Sequence, residues 1–193
     1  MEIPFAEILA IVRQSGKPET SFNALRNLGK ARKPSPIWQR IELPDIEQDI
    51  EDAANWLNYA LITSQPTGIY LGLDTLNENE GEGENVALGL TNEVDPESLE
   101  MNWIYGDVEP AGEHLIRGIY EIHRTYQDAE YEVSQLADYL FFFGYSGIVL
   151  AAALEQLPID WNALFVWGFR DGDMGFLARS SPRGIERLAR LAE

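Results

Sequence analysis

Residues 164–179, LFVWGFRDGDMGFLAR, decide the fold class. Phe165, Trp167 and Phe169 recur at every second position, Asp171-Gly172 interrupts them, and Phe176 and Ala178 resume the pattern. Apolar residues two apart line one face of a strand, because successive side chains point to opposite faces. Asp-Gly suits a two-residue type I′ turn, whose two central residues both need positive φ. A turn centred there places Trp167 opposite Phe176 and Arg170 opposite Asp173. The chain therefore holds at least one antiparallel hairpin.

The same alternation appears upstream. Ile69, Leu71 and Leu73 share one face of residues 68–74, and Val86, Leu88 and Leu90 share one face of residues 86–91. The loop 77–85, NENEGEGEN, joins them as a long-looped hairpin. Leu99, Met101, Trp103 and Tyr105 read as a third alternating strand, and residues 37–43 as another. Helical spacing marks residues 4–14 (Phe5, Ile8, Leu9, Val12) and a short helix at 21–28 that stops at Gly29. Asp45 stands as an N-cap with Gln48 at the capping-box position. Behind it, Ile46, Ile50, Ala53, Leu57 and Leu61 form a stripe. Residues 112–126 read as a helix with Leu115, Ile116, Ile119 and Ile122 inward and a Glu113–Arg117 pair at i,i+4. Residues 130–143 and 146–156 read as two apolar helices meeting at a glycine turn. A last helix starts at Ser181-Pro182, with Ile185, Leu188 and Leu191 inward.

The expected fold is α+β, a single domain with a mixed, mostly antiparallel sheet of five to six strands packed with about six helices. Residues 1–36 form an N-terminal helical segment and a basic, proline-containing linker. Residues 37–193 form the α+β domain, compact with 1–36.

The chain has 193 residues, 45% of them hydrophobic, enough to bury a core. Its 32 acidic and 14 basic residues leave a net charge of −18. Nucleic-acid binding that depends on neutralising phosphates is excluded by that balance, and docking on an anionic membrane is disfavoured. With no cysteine, disulfides, Cys-ligated metals and a Cys nucleophile are excluded. The N-terminus has no basic region ahead of an apolar run. The longest uncharged apolar stretch, 139–154, is shorter than the roughly 20 residues a span needs. A cytoplasmic location is the expectation.

The charge is segregated. Residues 41–116 hold 18 acidic residues and no Lys or Arg, and the rest of the chain is balanced. Packed as one layer, that stretch presents a strongly negative face that attracts a basic partner and speeds its association. Some of the acids also favour the positive end of the helix that Asp45 caps. The basic tract 30–36, KARKPSP, either lies across the acidic face or stands solvated. The leading reading is a non-enzymatic protein-binding module, for example of immunity or inhibitor type, docking a basic protein partner. Its contact candidates are Glu47, Asp49, Asp52, Glu78, Glu80, Glu82 and Glu84.

Signatures of catalysis are sparse. The 77–85 loop carries acids and glycines suited to a hard cation, but no register meets EF-hand spacing. A divalent-cation-responsive loop is a second reading. Gly144-Tyr-Ser-Gly-Ile148 lacks the second glycine of a nucleophile elbow. His114 and His123, nine apart on one expected helix, point to opposite faces. A third reading is an enzyme or small-molecule binder built from His114, His123, Arg170 and Asp173. No cofactor, metal ligand or catalytic residue is assigned.

Overall fold

The computed structural model describes residues 2–14, 16–74, 84–106, 108–169 and 172–191. Six strands form one mixed sheet: β1 (Gly68–Leu73), β2 (Val86–Thr91), β3 (Glu109–His114), β4 (Ala163–Phe169), β5 (Met174–Ser181) and β6 (Gly184–Leu191). Their order is β3-β2-β1-β4-β5-β6, with β1 parallel to β4 and the other pairs antiparallel. The helices are α1 (Phe5–Arg13), α2 (Pro18–Arg32), α3 (Ile37–Arg40), α4 (Ile46–Ser64), α5 (Arg117–Tyr126), α6 (Tyr131–Asp138) and α7 (Ser146–Leu154). A π-helical stretch, Tyr139–Tyr145, makes α6 and α7 one continuous helix. This is the expected α+β single domain.

The alternation seen in the sequence sets the two faces. Ile69, Leu71, Leu73, Val86, Leu88, Phe165 and Trp167 pack against the helices in one large core. Tyr70, Leu164, Val166, Met174 and Phe176 form a smaller core on the opposite face. No long helix covers that face among the described residues. Instead the β2–β3 connection crosses it, laying Leu99, Met101, Trp103 and Ile104 on the sheet. Arg179 on β5 fastens this strap by bonding Glu97 at 2.6 Å, and also holds Glu186 on β6 at 2.8 Å.

Several local expectations fail, each for a physical reason. Residues 99–105 are strap, not strand, with a 3-10 turn at Asn102–Tyr105, and the third strand lies later. Residues 37–40 are a helical turn: Ile37 and Trp38, adjacent in sequence, are both buried, which strand alternation does not allow on a one-sided sheet. Helix α2 continues past Gly29 to Arg32 because that glycine is a contact, with Trp38 carbons 2.7 Å from where a Cβ would stand. Gly144 and Gly147 likewise do not break their helix. They let it close on Ile8 and Leu25, and on Val12 and Trp167. The resulting 24-residue helix is apolar and long enough to cross a membrane, but 89% of its most apolar window is buried inside the fold.

The final helix is in fact β6. The three residues expected inward do not share a face: Ile185 packs on the main core, Leu188 on the smaller core of the opposite face, and Leu191 is exposed. A β-bulge interrupts the strand, where Phe176 pairs with Arg190 but Ala178 pairs with Arg187. Ala189, at the bulge, has φ 34°. A second irregularity explains the hairpin register. At the base, Leu164 faces Arg179 and Phe165 faces Ala178, as a turn at Asp171-Gly172 requires. Beyond the bulge the register slips by one, so Trp167 faces Gly175 rather than Phe176. Within the slipped segment Gly168 has φ 149°, and a Cβ there would run into the Asp173 carbonyl oxygen. The Arg170–Asp173 pairing involves Arg170, which lies outside the described residues.

Residues 1–36 are part of the main core rather than an appendage, through Ile8, Leu9, Val12, Phe22 and Leu25.

Candidate functional site

Helix α4 begins as its sequence predicts. The Asp45 carboxylate accepts from the Gln48 backbone N–H at 3.2 Å, and the whole expected stripe is buried. Glu47 and Glu51 are exposed, while Asp52 is half-buried and accepts from Gln48 Nε2 at 2.9 Å. Asp49 differs. It is only 4% exposed, and its carboxylate accepts from the backbone N–H of Arg117 (3.1 Å), that of Gly118 (3.0 Å) and the Tyr145 hydroxyl (2.7 Å). The first N–H groups of α5 have no partner within their own helix, so Asp49 caps α5 from a neighbouring element. Burial raises the Asp49 pKa, opposed by the three donors, and burial with the adjacent carboxylate pushes the Tyr145 hydroxyl far up. Asp49 is therefore internal wiring and not a contact for a partner, which corrects its place among the docking candidates.

The segment before α5 is β3, not the start of a helix. A helix over 112–126 and its Glu113–Arg117 pair are replaced by a strand to His114 and a helix from Arg117. Asn85 holds the junction: its amide donates to the Ile116 carbonyl and accepts from the Ile116 N–H, both at 2.9 Å, and its backbone N–H donates to the His114 carbonyl. β3 is the last strand on its side of the sheet, and five of its six residues are exposed.

Two surfaces flank β3. On the helix side, the His114 ring stacks on Trp56 of α4, with centroids 4.9 Å apart and planes 14° apart. Burial lowers the His114 pKa, with Asp52 pulling the other way, and Nε2 is buried without a hydrogen-bond partner. On the strap side lies a cleft of about 670 Å³ lined by Tyr70, Glu84, Ile104, Tyr105, Val108 and Glu113. Glu113 reaches this side because it pairs with Ala87, whose neighbours Val86 and Leu88 face the helices.

Of the residues expected to build a small-molecule site, the three that are described do not all come together. His123 lies on α5, edge-on to Tyr126 and Phe142, so the two histidines occupy different elements rather than opposite faces of one helix. Asp173 is hydrogen-bonded to Tyr139, whose neighbour Asp138 accepts from the Tyr126 hydroxyl at 2.7 Å. Burial raises the pKa of Asp138 and of Tyr126. His123 and Asp173 thus stand around the Asp138-Tyr139 step, and His114 is elsewhere. Arg170, Glu78, Glu80, Glu82 and most of the 77–85 loop lie outside the described residues. Glu84 is exposed. Among the described residues, no three His, Asp or Glu side chains group to hold a metal ion.

The basic tract does not lie over the acidic stretch. Arg32 pairs with Glu7 on α1, and Lys33 with Glu132 on α6.

Comparison with family models, with curated proteins and with solved structures finds no match. The site rests on its own geometry. Glu109, Glu113, Trp56 and Tyr105 are not among the site residues expected from the sequence. The available signal was Glu109-Pro110-Ala111-Gly112, because proline within a strand is confined to edges and bulges.

Proposed function

We propose that this protein is a non-enzymatic binding module that docks a basic protein partner on the side of the sheet ending at β3. One observation carries the reading: charge separates along the sheet. β3 bears Glu109 and Glu113, with Glu84 beside them, while β5 and β6 bear Arg179, Arg187 and Arg190 against a single acid, Glu186. The helix nearest β3 is α4, with Glu47 and Glu51 exposed and Asp52 half-buried. Like charges held together at this density repel one another, and a basic surface relieves that repulsion on binding. A small acidic inhibitor or immunity protein set against a basic target fits this profile. A cytoplasmic setting belongs to the same reading.

The test is affinity capture from lysate at low and near-physiological salt, with the chain and with a Glu47→Gln, Glu84→Gln, Glu109→Gln, Glu113→Gln variant. The expected result is a stoichiometric basic protein that weakens with salt and is absent with the variant. A blank at both salts, or equal capture by the variant, overturns the proposal.

A further inference from the structure

β3 and β6 both end the sheet, and they differ in what touches them. At β6, Arg13 of α1 donates to the carbonyls of Leu188 (2.8 Å) and Ala189 (3.0 Å). At β3, no described segment pairs beyond the strand. An edge strand offers a row of backbone donors and acceptors to any chain that can lie beside it. We propose that β3 takes an extended basic segment of the partner as a seventh strand, an inference that rests on the docking reading above and gives its mode.

The features of the edge select the occupant. Pro110 removes one backbone donor, and Ala111 is the extra residue of a bulge between the Leu88–Gly112 and Gly89–Pro110 pairs. Glu109 and Glu113 stand one on either side of that bulge. These devices oppose pairing with a second copy, since two such edges would set carboxylate against carboxylate. Against a basic strand the same carboxylates attract. The side chains of an added strand alternate between faces. Those on the strap side enter the cleft at Glu84, Glu113 and Tyr105, whose carboxylates and aromatic ring suit a Lys or Arg head and stem. Those on the helix side pass over Trp56, His114 and Asp52. Strand addition thus gives affinity through the main chain and selectivity through alternate side chains.

The experiment uses two synthetic peptides on the full chain: an octapeptide alternating Lys and Thr, and the same peptide methylated on every backbone nitrogen. Side chains and charge are the same, but the second has no backbone N–H. Binding is measured by titration calorimetry at low salt, with amide hydrogen exchange of residues 109–114 as the site readout. The expected result is that the parent peptide binds and slows exchange across β3, while the methylated peptide binds at least tenfold more weakly. A Glu109→Lys, Glu113→Lys variant, checked for folding by circular dichroism, is expected to lose binding of the parent by a similar factor. Equal binding of the two peptides overturns strand addition and leaves charge-driven docking standing. Failure of both to bind overturns strand addition and counts against the docking reading as well.

Discussion

The two ends of the sheet handle the same problem in opposite ways. β6 carries Arg187 and Arg190 beside one acid, Glu186, and is tied to α1. Arg187 donates to the carbonyls of Val12 (3.3 Å) and Gln14 (3.0 Å) and forks onto Glu155 at 2.6 and 2.7 Å, while Arg13 reaches back to β6. Two arginines thereby stitch α1 and the end of α7 across that end. β3 is acidic and open, and its charges make no ion pair among the described residues. A fold that spends hydrogen bonds closing one edge and leaves charge on the other treats the two as different kinds of surface. The bonds at β6 are structural, whereas exposure with charge at β3 is the feature on which the proposed docking rests.

Breaking the closed end has the largest expected effect. Arg187→Met removes a guanidinium only 8% exposed, together with its bonds to α1 and Glu155, and should cost about 2–3 kcal/mol in urea denaturation. A cost under about 0.5 kcal/mol, the usual range for surface substitutions, would mean that β6 is held by packing alone. Next comes Asp49→Ala, which leaves the buried Gly118 N–H, the partly buried Arg117 N–H and the Tyr145 hydroxyl without an acceptor. About 2 kcal/mol is expected. That result would separate the structural carboxylate of the acidic side from its surface ones.

A smaller effect concerns pH. The folded chain holds the His114 pKa below the ordinary 6.5, so the unfolded chain takes up the proton first. The contribution of His114 is complete above that value and is lost as pH falls below it. His114→Gln should therefore flatten the decline in melting temperature between pH 7.5 and 5.5. Asp49 has the opposite sign, because its raised pKa favours the folded chain on acidification, and its contribution is lost as pH rises through the folded value. An unchanged slope in the His114 variant would place the acid sensitivity elsewhere. Smallest of all, Glu109→Gln with Glu113→Gln should change stability by less than about 0.5 kcal/mol, since both side chains are exposed and make no ion pair among the described residues. A larger loss would contradict an edge kept open for binding.

What the sequence shows and what it hides follow the same division. β1, β2, β4 and the stripe of α4 are legible because burial on a fixed face imposes a period on their residues. β3 was hidden for the converse reason: an exposed edge strand has no apolar face, and Glu-Pro-Ala-Gly-Glu-His carries no period at all. β6 misled because its apolar residues fall three apart while serving opposite faces of the sheet, Ile185 on the main core and Leu188 on the smaller one. Glycines misled where they serve close contact rather than turns, at 29, 144 and 147. The acidic stretch was visible as composition, but only the structure separates Asp49, enclosed among donors, from Glu109 and Glu113 on the rim.

The parallel joint between β1 and β4 has a consequence in time. Roughly ninety residues separate these strands, whereas the other neighbouring strands in the sheet are linked by much shorter connections. During synthesis at about 5–20 residues per second, β1 waits on the order of 5–20 s before its central partner exists. Through that interval β1 to β3 are a three-stranded fragment with one apolar edge unpaired. The α1 helix, made before β1, waits longer still for β6. The sheet is thus completed only by residues 163–191, and a ribosome stalled before β4 would release a fragment prone to association rather than a smaller folded protein.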